Sequence, residues 1–340
     1  MATTQIPWGD GSNDKLYFDA DSMVGNKTVA VSSDPNTGAS QRSKIVNFNA
    51  SGVQPQPLQI VQLGSGLESW LKDGNTHLWI NIEYADQLVQ NLRLRMIGTI
   101  DWGDGTTESI SVTTYTTKTH TYASTGKYRI DLKPSSGTFY LGGGSSSYNI
   151  MGGRKITSRT TVLYQAEIGT NRITTLSAYA FYYCVSLIRV YVPKTIVTVG
   201  SYAFAYCCSL QSIEFEDSST ITNTSLTNTF SFCYRLDNIS DFAPPSITSF
   251  DTTYRTCPTL RKIIIPSTVT NISANTFYGE FSLKTLKCLP SVPPTIADAN
   301  AFTDFPSGCV IEVPAGKLSA YQSANIWSNY ASQMVEATSS

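Results

Sequence analysis

A motif that returns six times between Ala180 and Phe302 constrains this chain more than any other feature. An aromatic residue is followed three positions later by Cys, then by Leu, then by alternating apolar residues. The copies read Phe181, Cys184, Leu187, Val190, Val192; Phe204, Cys207, Leu210, Ile213, Phe215; Phe230, Cys233, Leu236, Ile239; and Tyr254, Cys257, Leu260, Ile263, Ile265. A fifth, Phe277, Glu280, Leu283, Leu286, replaces the Cys, and Phe302 begins a degenerate sixth. The lead aromatics lie 23, 26, 24, 23 and 25 residues apart. A unit this short cannot bury its apolar face alone, so successive copies must stack around one core. The expected architecture is a solenoid.

Within each copy, period-two alternation after the Leu predicts a short strand that sends Leu187, Val190 and Val192 inward. A second apolar phrase precedes each aromatic, as in Ile173-Thr-Thr-Leu176 and Val269-Thr-Asn-Ile272. Each turn therefore has two apolar rungs, with corners marked by Val192-Pro193 and Ile265-Pro266, where Pro suits a strand end. The repeated Phe, Cys, Leu, Ile and Pro pattern over about 168–302 resembles the BspA-type leucine-rich repeat family. That resemblance implies a surface or secreted protein that binds host or neighbouring surfaces, with no catalysis in the repeat.

Four of the seven Cys hold one repeat position: Cys184, Cys207, Cys233 and Cys257. A ladder of buried thiols is the natural reading; disulfides or a metal site remain alternatives at this point. Charged residues are only 14% of the chain, and 24 basic against 25 acidic residues leave no field favouring nucleic acid or anionic lipid. No apolar run is long enough to insert in a membrane. The opening, Met1 to Asp10, has neither a positive nor an apolar signal-peptide region, so export by the usual route is not expected.

Before the repeats, Lys27–Val31, Lys44–Phe48 and Leu58–Leu63 read as strands, with a loop at Ser33–Gly38. The phrases from Val31 to Gly64 resemble a BACON domain, an immunoglobulin-like module. Ile6-Pro-Trp-Gly-Asp-Gly-Ser12 resembles the opening of virion proteins of Bacteroides phages. Next, Leu78–Ile82 and Leu92–Met96 alternate like strands, and Trp102-Gly-Asp-Gly105 with His120-Thr-Tyr122 resembles a PKD-like domain. Asp101, Asp104 and His120 suggest a metal site, but two Asp in a turn lack the ligand count Ca²⁺ needs, and a turn with a packed His is preferred. Gly142-Gly-Gly144 reads as a loop or linker. After the repeats, Pro314 and the spacing of Leu318, Tyr321, Ile326, Trp327 and Tyr330 predict a short helical cap.

The expected fold is mainly β: two immunoglobulin-like β-sandwich modules, then a leucine-rich repeat solenoid with a short helical C-terminal cap. The expected boundaries are 1–64, 65–153, 154–310 and 311–340. No catalytic residue, metal or cofactor is expected. His77 and His120 are the only histidines, and neither sits in a nucleophile constellation. The candidate binding face is the outward side of the repeat strands: Arg189, Tyr191, Glu214, Arg261, Lys262, Ile264, Lys284 and Lys287. A candidate aromatic ladder comprises Tyr179 with Tyr202 and Tyr183 with Tyr206, either stacking on sugar rings or packing coil against coil. The expected partners are host-surface glycan or protein and other virion proteins, with no nucleic acid and no membrane insertion; a homo-oligomer is left open. The expected location is a virion, with a bacterial cell surface as the alternative and a purely structural virion role as a third reading.

Overall fold

The computed structural model describes residues 69–143, 149–151, 162–239 and 242–337, together with the backbone of five earlier strands. The chain divides into two compact units, Met1–Leu71 and Lys72–Ser340. In the first, β1 (Thr4–Pro7), β2 (Lys15–Phe18) and β3 (Val31–Ser33) form an antiparallel sheet in that order. β4 (Arg42–Phe48) and β5 (Gln56–Gln62) form an antiparallel pair, so the second and third expected strands are present. Residues 27–30, the loop after Ser33 and the side chains behind the BACON resemblance lie outside the described residues.

The second unit begins with β6 (Thr76–Ile82), β7 (Val89–Asp101), β8 (Thr107–Ser111), β9 (Thr116–Thr121) and β10 (Gly126–Leu141). β10 lies between β6 and β7, and β7 pairs with β8 at one end and β9 at the other. Alternation drives this sheet: Leu92, Leu94 and Met96 point into the core, as do Leu78, Ile80 and Ile82. Its turn Trp102–Thr106 closes β7 onto β8 as the sequence predicts, with the Trp102 amide donating to Thr106 O at 3.0 Å. Gly103 is obligatory there: its φ is 81°, and a Cβ would stand 2.3 Å from Arg129 O.

The free edge of β6 is taken by β11 (Leu163–Glu167), antiparallel, and from β11 the sheet runs on in parallel through β13 (Arg189–Val192) and β15 (Ser212–Phe215). The first repeat strands and the preceding β region thus share one sheet, and their apolar side chains share one core. Gly142 and Gly143 take part in this junction. A Cβ on either would meet the carbonyl oxygen of Ala180 or Ala178, at 2.7 and 2.5 Å. Bonds from Gly142 N to Arg93 O, Arg93 N to Ile150 O and Ile150 N to Ala180 O tie β7 to the first coil.

The solenoid has two rows of parallel strands. One continues as β18 (Lys262–Ile265), β20 (Thr285–Cys288) and β22 (Val310–Val313). The other, just before each aromatic, comprises β12 (Thr175–Leu176), β14 (Thr198–Val199), β16 (Ser225–Thr227), β17 (Ser249–Asp251), β19 (Asn271–Ile272) and β21 (Thr295–Ile296). Between them runs a stack of the lead rings, Phe181, Phe204, Phe230, Tyr254, Phe277 and Phe302, with centroids 5.3–6.4 Å apart. The Cys position forms a second ladder: the thiols of Cys207, Cys233 and Cys257 donate to the carbonyls of Phe181, Phe204 and Phe230, one coil back. All seven cysteines are free, which closes the disulfide alternative.

Both rows break at the longest repeat interval. Among the described residues, coil three forms no strand after Leu236 and offers only a bridge from Asn238 to Ser212, and β15 and β18 belong to different sheets. In the other row β14 and β16 do not pair with each other, and the Asn223 side chain spans the gap. Its Oδ1 accepts from Val199 N at 2.8 Å and its Nδ2 donates to Val199 O at 2.9 Å.

The C-terminal cap differs from the expected single amphipathic helix. Helix α1 covers Leu318–Ser323, Ile326 turns left-handed at φ 67°, and a 3₁₀ segment, Trp327–Gln333, leads into β23 (Met334–Glu336), parallel to β22. The left-handed residue breaks the helical register, which lets Trp327 and Tyr330 reach Phe302 at 5.5 and 4.9 Å. Tyr321 and Trp327 also donate to the carbonyls of Pro290 and Pro294.

Candidate functional site

The strand register places the candidate residues in two rows on the outward face. Over coils one and two, Gln165, Arg189 and Ser212 align, as do Glu167, Tyr191 and Glu214. Beyond the break, Lys262, Thr285 and Val310 align, as do Ile264, Lys287, Glu312 and Val335. The break divides the expected continuous face in two, and the halves differ in chemistry.

The first half is closed at Tyr191, while Arg189 is half-buried and Glu214 stays exposed. Tyr191 is only 4% exposed, and Gln165 and Glu167 are buried. Lys72 covers it: its ammonium lies 4.5 Å from the Tyr191 ring centroid and 4.0 Å from Glu214, while its backbone N–H donates to Glu167 Oε1. Burial lowers the affinity of the Arg189 guanidinium for its proton, against the pull of Glu214 and Glu167. Glu167 in turn stands opposite His77 on β6. The buried His77 ring bridges Asp131, at 2.7 Å from Nδ1, and Asp73, at 2.9 Å from Nε2. Arg129 completes the group with two bonds to Asp131. Burial works against a charged imidazole here, but the two carboxylates outweigh it and raise the His77 pKa. Burial likewise works against the Asp131 carboxylate, and His77 and Arg129 outweigh it, lowering that pKa. Neither Lys72 nor His77 carries a motif that flags it in the sequence.

The second half is open. Arg261, Lys262 and Lys284 are exposed, Lys287 and Ile264 half-buried, and Val310 and Val335 add apolar surface. Lys284 N donates to Arg261 O, fixing those two cations one coil apart.

The aromatic ladder forms, and it extends further than the four predicted residues. Tyr179 stacks on Tyr202 at 5.0 Å, Tyr183 on Tyr206 at 4.4 Å, and Tyr206 on Phe232 at 4.5 Å. The Tyr182 ring wedges edge-on among all four tyrosines. The Arg255 guanidinium continues the row, 5.3 Å from Phe232 and 5.6 Å from Tyr278. Tyr206 has both faces stacked, on Tyr183 and Phe232, whereas Tyr179 and Tyr183 each stack one face on the next coil. These stacks pack coil against coil.

At the Trp102 turn, Asp104 accepts from Thr106 and its Oδ2 lies 2.7 Å from His120 Nε2. His120 stacks on Trp102 at 4.7 Å, and Tyr122 donates to Trp102 O. Asp101 instead pairs with Lys133 at 3.1 Å. Of the three residues that suggest a metal site, Asp104 and His120 thus bond each other, while Asp101 pairs with Lys133. Among the described residues, no three His, Cys, Asp or Glu side chains are placed to hold a metal ion, and no helix is long and apolar enough to cross a membrane.

Comparison with known proteins bears on the repeat region. Residues 167–308 match the model of the BspA type Leucine rich repeat region in six copies. No curated protein matches the sequence. A leucine-rich repeat protein from Bacteroides ovatus aligns at 20% identity over 52% of this chain and 42% of its own, with a TM-score of 0.37. A leucine rich cell surface protein from Faecalibacterium prausnitzii aligns at 26% identity over 39% and 41%, with a TM-score of 0.28. The Treponema pallidum leucine-rich repeat protein aligns at 18% identity over 52% and 89%, with a TM-score of 0.32. The alignment spans less than half the length of the first two chains.

Proposed function

Taking residues 167–308 as a BspA-type leucine-rich solenoid, we propose that this protein is a non-catalytic surface adhesin that recognises a glycan or protein on another surface. The open face of coils four and five carries this reading. Arg261, Lys262, Lys284 and Lys287 stand there on a rigid sheet beside Ile264, Val310 and Val335. Cations around a modest apolar surface suit an anionic patch on a partner, which they would steer and orient. Tyr191, covered on coil one, serves the fold instead. A cell-surface location agrees with the family match, whereas placement in a virion has only the resemblance of the sequence opening behind it.

The test is binding of the purified full-length chain to bacterial and epithelial cells, followed by flow cytometry. Saturable binding is expected, falling about fivefold or more in K284E/K287E and weakening as salt is raised. Binding that is indifferent to both changes would remove the basic face from the reading.

A further inference from the structure

A single cation interrupts the aromatic row of the coils. Tyr183, Tyr206 and Phe232 hold the second position after the lead aromatic, and their rings stack in turn. In coils four and five that position is Thr256 and Gly279, which have no ring. The preceding residues take up the row instead: the Arg255 guanidinium lies over Phe232 at 5.3 Å and over Tyr278 at 5.6 Å. The charge thus stands between a ring of the coil before and a ring of the coil after.

Those rings attract the charge through their π faces but supply no acceptor oxygen. Among the described residues, Arg255 Nε is buried without a hydrogen-bond partner, and no carboxylate pairs with the guanidinium. Its terminal nitrogens have no acceptor either, and they are not buried. Elsewhere in the chain Lys118, Arg129 and Lys133 each meet a carboxylate within 3.1 Å. A planar fork of donors is therefore held in place by packing and left unspent. Beside it, Tyr234 touches Phe232 at 6.4 Å and is 43% exposed, which leaves ring surface open. Burial raises the Tyr206 pKa; Tyr234 adds to that rise and Arg255 opposes it, so both stand close to that hydroxyl.

The unpaired fork matches a carboxylate, whose two oxygens can accept from it together. The open ring surface suits a carboxylate mounted on a flat apolar body. Glucuronate joins the two, because its ring substituents are all equatorial and both its faces present C–H groups. We propose that Arg255, flanked by Phe232 and Tyr278, binds a glucuronate residue of an acidic glycan. The terminal N–H groups donate to the carboxylate, and the sugar lays one C–H face on Tyr234. This inference rests on the glycan branch of the recognition reading above and adds a site apart from the basic face.

The test titrates the full-length chain calorimetrically with three probes: the β-1,4-linked glucuronate trimer, the β-1,4-linked glucose trimer and a tri-glutamate peptide blocked at both ends. The glucose trimer lacks only the carboxylates, and the peptide carries carboxylates without a sugar ring. The glucuronate trimer should bind tighter than either by about tenfold or more. Arg255→Lys keeps the charge but loses the fork, and should weaken that binding about tenfold. Tyr234→Ala removes an exposed ring, leaves the core intact, and should weaken it about threefold. Equal response to the two sugars, no response to glucuronate, or undiminished binding by either variant overturns the proposal. So does a preference for the peptide, which would assign the fork to an acidic protein. Cell binding that persists beside a silent titration strikes this site and spares the adhesin reading; a positive titration without cell binding does the reverse.

Discussion

Two positions in each of the first five coils, two residues before and two after the lead aromatic, hold the backbone in the left-handed region. They are Tyr179 and Tyr183, Tyr202 and Tyr206, Asn228 and Phe232, Thr252 and Thr256, and Asn275 and Gly279, with φ between 51° and 78°. An L-residue there costs about 1–2 kcal/mol, which Gly avoids, Asn tolerates and stacked rings can offset. Thr256 is β-branched and has no ring, so Thr256→Gly, as in coil five, should stabilise the chain by up to about 1 kcal/mol in chemical denaturation. The Tyr ladder is legible as repeated aromatics, but its backbone is not, because Tyr and Phe are no turn signal. Glu280 makes a similar point. It replaces the repeat Cys, is fully buried, accepts from Cys257 N at 2.8 Å, and leaves Oε2 without a partner. Burial raises its pKa well above 4.5, with only the Cys257 amide opposing. The folded state therefore holds a proton that the unfolded state releases above about pH 4.5, and stability falls as pH rises from there. Glu280→Gln, a mimic of the protonated acid, should melt about 3 °C higher at pH 7 and lose that advantage near pH 4. A wild-type advantage at pH 7 would contradict a neutral Glu280.

At the scale of elements, the sequence reveals the coils and conceals the joins. The 26-residue interval from Phe204 to Phe230 is visible in the spacing, and both strand rows fail there. Spacing shows that the coil is long, though not that Asn223 would stand in for a strand, since a side chain acting as backbone leaves no periodic trace. Asn223→Ala should cost about 1–2 kcal/mol, with faster amide exchange at Val199 as the local sign. The same limit governs the candidate face. Its alternation is correct, and Arg261, Lys262, Lys284 and Lys287 are where the pattern puts them. Tyr191 is closed by Lys72, more than a hundred residues away in sequence. Burial imposed by a distant segment cannot be read from a repeat.

Over the whole of Lys72–Ser340, the His77 cluster fastens the entry segment to the sheet through Asp73, and a pH window follows. The folded pKa of His77 is raised above 6.5, so its contribution is complete below that value and is lost as pH climbs through the folded pKa. Asp131 is lowered below 3.8, so its contribution is complete above that value and is lost as pH falls through the folded pKa. Thermal stability should therefore carry its largest share from this cluster between pH 3.8 and 6.5. His77→Gln should flatten the decline on the alkaline side; an unchanged alkaline limb would show that His77 is not its source. Asp73 is largely exposed and adds less than Asp131. The interruption at coil three has a mechanical consequence. Tension applied from the C-terminus would peel coils four to six and their cap strand by strand, until the tear met the place where neither strand row crosses and the ring stack and thiol bonds carry the load. There the crack would pause or jump. A protein that holds a surface in flow would then shed length in two instalments, with the first coils and their covering sheet as the part that lets go last.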